Sequence, residues 1–540
     1  MSPLRRRDFI SRASAIGLAS VAGNAWAGGI GALAAPGPSD ARVLIDPSHP
    51  LAPLDRNIFG SFLEHLGRAI YEGIYDPGSP EADAMGFRKD VLAEIRGLGV
   101  PIIRYPGGNF VSGYNWLDGV GPRAGRPTVL DRAWDTIETN QFGTDDYMEW
   151  CVKAQATPLM AVNLGAGSAK QAGDLVEYCN LEKGTKWSDL RRKNGHESPY
   201  QVKHWCLGNE MDGPWQIGHS TATEYGLKAA DAARQMRAID PSLFLVVCGS
   251  SGPMMPTYLE WDREVLEQCY PVVDAISLHR YFNNTAETGG DSRHYLALNL
   301  TMDQQIEEAA AVCDVVRGRL RTDKRLHLSF DEWNVWYRAR DGDGHKQVAP
   351  HLLEEVYNLE DALLVGGCLN TLLRHADRVR IACLAQLVNV IAPLMTNRTS
   401  VLRQTIYYPY AWALHHCRGE VLDVRVESPT YEVSRFGRVE QVPYLDVVAT
   451  RDPANGETTL LVLNRDLDNS RQVELNWRAA APKRVKLSQT ITGSDLKASN
   501  TFSEPNKVVP QNPQAPGALG PRMSLEAPAK SYSVFVFETA

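Results

Sequence analysis

VKHWCLGNEMDGPWQIGH, residues Val202–His219, is a short apolar run that stops on a carboxylate. Val202 to Leu207 carry mostly β-branched, aromatic and aliphatic side chains. Gly208, Asn209 and Glu210 close the run, ahead of the turn-rich MDGPWQ. A carboxylate is costly to desolvate unless it is paired or hydrogen-bonded. Glu210 is therefore either a satisfied structural group or a tuned chemical one, and the rest of the chain decides which.

The same texture recurs from Asn57 onward. Short apolar runs bounded by Gly, Pro or polar residues fall at 57–65, 101–108, 157–165, 203–210, 243–250, 275–281, 326–334 and 380–389. Such runs read as parallel strands buried on both faces. Between them lie segments of helical period. Val91, Ile95 and Leu98 share one face; TDDYMEWCVKAQA opens on Thr144 as a capping residue with acidic residues behind it; Ile306, Cys313, Val316 and Leu320 form a stripe. Eight strand-helix units over this span predict a (β/α)8 TIM barrel with enlarged loops. A doubly wound open sheet is the rival, but no Gly-rich phosphate turn follows any strand.

After about Cys417 the pattern turns to β. YLDVVATRDPANGETTLLVLNRD is two strands around a turn, KSYSVFVFET alternates to the C-terminus, and NKVVPQNPQAPGALGP between them is a loop. The expected organisation has four parts. Residues 1–35 are a signal peptide and linker, 41–56 a strand joining the sandwich, 57–417 the barrel, and 418–540 an all-β sandwich of jelly-roll type.

Composition narrows the function. The 540 residues are 44% hydrophobic and 22% charged, with a net charge of −8. That balance disfavours nucleic acid or an anionic membrane surface as a partner, since both select a basic footprint. No run reaches the ~18 apolar residues of a membrane span. RRRDFISRASAIGLASVAGNAWAGG, with Arg6-Arg7 before Asp8, Phe9 and Ile10 and an Ala25-Trp26-Ala27 cleavage candidate, predicts a twin-arginine signal and an exported, periplasmic or secreted protein. The nine cysteines show no C-x-x-C spacing and sit mostly in apolar segments, as buried free thiols do.

A barrel places its chemistry where strands end. The predicted strand ends supply Glu64, Arg104, Asn163, Asn209 with Glu210, His279 with Tyr281, Glu332 and Gln386. Alone, each has a bland explanation: a paired carboxylate, a loop-anchoring arginine, a satisfied core histidine. Together at one rim they point to chemistry. Glu210 and Glu332 end strands four and seven and face each other. Two such carboxylates serve acetal hydrolysis, with Glu210 as acid and Glu332 kept ionised by Tyr281 and Arg104. Asn109 lies in the turn of RYPGGNF. Trp116, Trp215, Trp333 and Trp336 fall in or near the same loops, where indoles either pack in the core or face sugar rings.

These residues carry a resemblance. FLEHLGRAIYEGIYD, IIRYPGGNFVSGYNWLDGVGPR, ETNQFGTDDYMEW, CLGNEMDGPWQIGH, ISLHRY, FDEWNVWY and AQLVNVIAPLMTN, in this order, resemble the α-L-arabinofuranosidases of glycoside hydrolase family 51. The resemblance implies a retaining, exo-acting enzyme that releases terminal arabinofuranosyl residues from arabinan, arabinoxylan or their oligosaccharides. It gives Glu210 the acid/base role and Glu332 the nucleophile role. Glu64, Arg104, Asn109, Asn209, His279, Tyr281 and Gln386 would bind the furanose. It implies no cofactor or metal, and a homo-oligomer, hexameric in the family. The tract MTNRTSVLRQT after strand eight departs from the family's Gly/Pro-rich loop. The alternatives are the same mechanism with endo-β-1,4-glucanase or β-xylosidase specificity, or a non-catalytic carbohydrate-binding barrel.

Overall fold

The computed structural model describes residues 41–339, 345–435, 438–479, 481–513 and 515–539. The expected signal peptide and linker, 1–35, lies outside them. Ala41–Pro53 forms β1, with Ala41, Val43 and Ile45 buried. Gly60–Phe62 (β2) and Ile102–Tyr105 (β3) follow, then a hairpin of Val129–Asp131 (β4) and Thr136–Glu138 (β5). Thr157–Ala161 (β6), His204–Leu207 (β7), Phe244–Val247 (β8), Ala275–Phe282 (β9), His327–Val335 (β10) and Val379–Leu384 (β11) come next. All of these except β1 and the β4–β5 hairpin pair in parallel and close into an eight-stranded barrel. The predicted (β/α)8 architecture is the observed one.

The near-continuous apolar runs have a simple cause: each strand is covered on both sides. Ile102, Leu159, Ala161, Cys206, Val246 and Ile381 pack inside the barrel, while Ile103, Tyr105, Met160, Trp205, Leu207 and Val247 pack outward. Each such aliphatic side chain contributes about 1.5–3 kcal/mol by leaving water. The outer layer is helical. Lys89–Leu98 buries Val91, Leu92, Ile95 and Leu98. Two details differ from expectation. The helix Thr144–Ala154 is capped by Gly143, whose N–H donates to Asp146 Oδ2 at 3.0 Å, and Thr144 is already helical. In the helix Asn299–Leu320, Ile306, Cys313 and Val316 are buried but Leu320, in the last turn, is exposed.

Leu394–Thr396 (β12) and Val401–Arg403 (β13) form a small hairpin beyond the barrel. The remaining strands are Glu420–Glu427 (β14), Thr430–Arg435 (β15), Arg438–Pro443 (β16), Leu445–Asp452 (β17), Glu457–Asn464 (β18), Arg471–Trp477 (β19), Arg484–Ile491 (β20), Arg522–Ala527 (β21) and Ser531–Glu538 (β22). Eight strands in the order β20-β22-β18-β17-β14-β1-β19-β21 make the C-terminal β-sandwich around a second core. Period-2 alternation divides its strands. Val447, Ala449, Leu460, Val462, Phe535 and Phe537 face that core, while Val448, Leu461, Leu463, Val534 and Val536 join the core shared with the barrel helices. Asp446, buried and accepting from Arg374 and Arg465, anchors the same contact. All nine cysteines are buried and free. Among the described residues no helix is long and apolar enough to cross a membrane.

Candidate active site

β7 stops at Leu207, earlier than its sequence predicts, because Gly208 takes a φ of +94° and leaves the strand region. Asn209 and Glu210 therefore project beyond the strand, with Glu210 itself at a φ of +42°. A non-glycine residue held there is strained, and such strain persists where the surroundings over-determine it. Glu332 arrives differently. The register of β10 shifts between Ser329 and Glu332 against β9, and between Phe330 and Trp333 against β11. This irregularity lets the consecutive carboxylates Asp331 and Glu332 both reach inside the barrel.

Both glutamates line a cavity of about 660 Å³ at the C-terminal strand ends, with Glu64, Asn109, Asn209, His279, Tyr281 and Gln386. Arg104 lies beneath it. Its Nη1 donates to Glu332 Oε1 at 2.5 Å and its Nη2 to Asn209 Oδ1 at 2.8 Å. Tyr281 donates to Glu332 Oε2 at 2.8 Å. His279 Nδ1 donates to Glu210 Oε1 at 2.9 Å and lies 3.6 Å from Glu332 Oε2. Gln386 Oε1 accepts from the Glu64 N–H, and Glu64 Oε1 accepts from the Phe110 N–H and from Trp134 Nε1, each within 3.0 Å.

Electrostatics separates these groups. Burial pushes Glu210 above the ordinary glutamate range, opposed by the hydrogen bond and charge of His279 and reinforced by Glu332. Burial also lifts Glu64 to about 8, with the charge of Glu332 adding to it. Burial alone would depress His279, but Glu332, Asp331 and Glu210 overcome it and hold the ring up at about 10. Glu210, His279 and Glu332 do bring one ligand atom each within 4.8 Å of one another. Two carboxyl groups bridged by an imidazole that can carry a proton on either nitrogen are also suited to proton transfer.

Not every candidate joins the site. Asn163 turns inward on its own loop, donating to the Tyr114 carbonyl and accepting from the Gly167 N–H. Trp215 and Trp336 line the cavity, whereas Trp333 is buried core and Trp116 packs on Tyr178 and Trp187. The divergent 395–405 tract lies away from the cavity lining; the carbonyls of Thr396 and Asn397 accept from Arg68 and Arg88. Sequence reasoning missed Trp134, Met254 and Met255, which sit in loops with no periodic signal, and Asp331, masked by its neighbour.

Two close carboxylates, one made more basic by burial and one held by a buried arginine, at the mouth of a (β/α)8 barrel, are the arrangement that retaining glycoside hydrolases use. Comparisons with known proteins specify it. Residues 94–297 match the α-L-arabinofuranosidase 1 domain, and residues 331–531 match the α-L-arabinofuranosidase C-terminal domain. The chain is similar to the intracellular exo-α-(1→5)-L-arabinofuranosidase 1 of Bacillus subtilis, 49% identical over 87% of this chain and 94% of that one. It is similar to an exo-α-(1→6)-L-arabinofuranosidase of Bifidobacterium longum, 45% identical over 87% of this chain and 91% of that one. The solved structure of a family 51 α-L-arabinofuranosidase from Bifidobacterium longum aligns with a TM-score of 0.88 at 39% identity, covering 92% of this chain and 99% of that one. The chain belongs to the α-L-arabinofuranosidases of glycoside hydrolase family 51, and its substrates are arabinose-containing saccharides. The expectation of export is corrected by the same comparisons: the Bacillus subtilis relative and four others are named intracellular. Placement outside the cell is withdrawn, and with it the signal peptide.

Proposed function

We propose that Glu210 is the acid/base and Glu332 the nucleophile of an exo-acting, retaining α-L-arabinofuranosidase. The observation that carries this is the approach of a Glu210 oxygen and a Glu332 oxygen within 4.8 Å, with His279 beside both. Protonated Glu210 gives its proton to the glycosidic oxygen as the bond to C1 breaks. The Glu332 carboxylate, oriented by its hydrogen bonds from Arg104 and Tyr281, attacks C1 from the opposite face and forms a β-linked glycosyl-enzyme. Glu210, now a carboxylate, takes a proton from water as that water attacks C1, and the two inversions sum to retention. Protonated Glu64, with Asn109, Asn209, His279, Tyr281 and Gln386, holds the furanose hydroxyls. Asn209 reaches the 2-hydroxyl, where a hydrogen bond strengthens in the transition state.

Terminal α-(1→5)-linked arabinofuranose is the preferred substrate on this proposal, in line with the names of most of the similar relatives; the (1→6) relative marks linkage as the property that varies. Defined arabino-oligosaccharides test it. Arabinose released singly from the non-reducing end, fastest from (1→5) linkages, is expected, and internal cleavage would contradict it. The division into a 41–56 strand, a 57–417 barrel and a 418–540 sandwich, and assembly into a homo-oligomer (a hexamer by family resemblance), belong to the same proposal. The first rests on β1 lying in the sandwich sheet between β14 and β19.

A further inference from the structure

Below the two glutamates lies a third buried carboxylate with no role in the chemistry so far. Asp331 has no solvent exposure. Its Oδ1 accepts from Ser277 Oγ at 2.5 Å and lies 3.3 Å from His279 Nε2. Its Oδ2 accepts from Cys206 Sγ at 3.3 Å and lies 3.5 Å from Arg104 Nε. Neither the His279 nor the Arg104 nitrogen is aligned as a hydrogen bond to it, so these two contacts act through charge. We infer that Asp331 is a positioning residue. It is the counter-ion that keeps His279 a doubly protonated ring, and through that ring it sets the proton affinity of Glu210. The inference rests on Glu210 being the acid/base.

The argument is a balance of buried charge. Asp331 is faced by Arg104 from β3, Cys206 from β7, and Ser277 and His279 from β9, with Cys248 beyond β8 and Cys383 on β11 further off. Burial raises all three thiols, so they stay neutral. His279 is faced by Glu210, Glu332 and Asp331. With Glu210 and Glu64 protonated, the cations Arg104 and His279 are matched by the anions Glu332 and Asp331. Burial opposes the charge on Asp331, but Arg104 and then His279 hold it down at about 2, so this anion persists at every working pH. Removing it leaves one unmatched positive charge in a dry site. Such a charge is relieved by releasing a proton, and the Glu210–His279 pair is where one is held.

The test is Asp331→Asn, which keeps the shape and the Ser277 acceptor. The basic limb of kcat/KM is expected to move to lower pH by about one unit or more, the usual effect of a nearby charge. Loss at pH 7 should be larger for a sugar leaving group than for an activated aryl one. In a Glu210→Ala background the same substitution should cost little more. A stationary limb with equal, additive losses on both substrates would make Asp331 a structural residue only. Should the variant fail to fold, neutron diffraction of the wild-type protein decides. Deuterons on both His279 nitrogens are expected, and one bare nitrogen would overturn the inference. Azide rescue of Glu210→Ala tests the acid/base role separately, so success there with a stationary limb overturns Asp331 alone.

Discussion

A Glu210 oxygen and a Glu332 oxygen lie within 4.8 Å of each other. Retaining glycosidases hold their carboxyl groups about 5–5.5 Å apart, while inverting ones leave about 6.5–9.5 Å for a water between them. Hydrolysis of an aryl α-L-arabinofuranoside should therefore release α-arabinofuranose first. Proton NMR within the first turnovers checks this, before mutarotation; initial β product would contradict it.

Gly108 shapes the floor of the furanose site. A Cβ there would stand 2.3 Å from Glu64 Oε2, and that carboxyl cannot swing away while the Phe110 N–H and Trp134 Nε1 hold it. Gly108→Ala should displace Glu64 and lower kcat/KM by about 10²-fold, as small misplacements near the chemistry do. Melting temperature should fall little. Kinetics paired with thermal denaturation separate the two effects, and near-native kcat/KM would show that Glu64 is not held as described.

Trp215 offers a pH test of opposite sign to that of Asp331. Its half-exposed indole donates Nε1–H to Glu210 Oε2 at 2.7 Å and so favours the ionised carboxylate. Trp215→Phe removes the donor and lets burial act less opposed, so Glu210 should hold its proton longer. The basic limb of kcat/KM should move to higher pH, by less than about one unit for the loss of a single hydrogen bond. A shift to lower pH would contradict the hydrogen bond's role.

The barrel was legible because its strands are covered on both faces, which writes Trp205–Leu207 and Phe244–Cys248 as unbroken apolar runs ending in Gly. Glu210 was legible for the same reason: a carboxylate at the end of such a run is conspicuous. Asp331 was not. Strict alternation assigns it the face opposite to Glu332, and only the register shift in β10 brings both inside. Trp134 was illegible because the β4–β5 hairpin is short and its contact with Glu64 spans 70 residues of chain. The strand end at Leu207 is illegible in the sequence because nothing in the residue pattern marks the positive φ at Gly208 that ends it.

The division of labour between the two glutamates is tested most directly by azide added to Glu210→Ala. Without its acid, the variant should lose several orders of magnitude on a sugar leaving group but still form the glycosyl-enzyme from an activated aryl arabinofuranoside, since that group departs with little protonation. The intermediate should then accumulate, because no base deprotonates water. Azide needs no base. It should restore turnover by attacking the β-linked ester at Glu332 from the opposite face, giving α-L-arabinofuranosyl azide, whereas Glu332→Ala should be inactive on both substrates with or without azide. Equal loss on both leaving groups, no response to azide, or a β-azide product would contradict the assignment of Glu210.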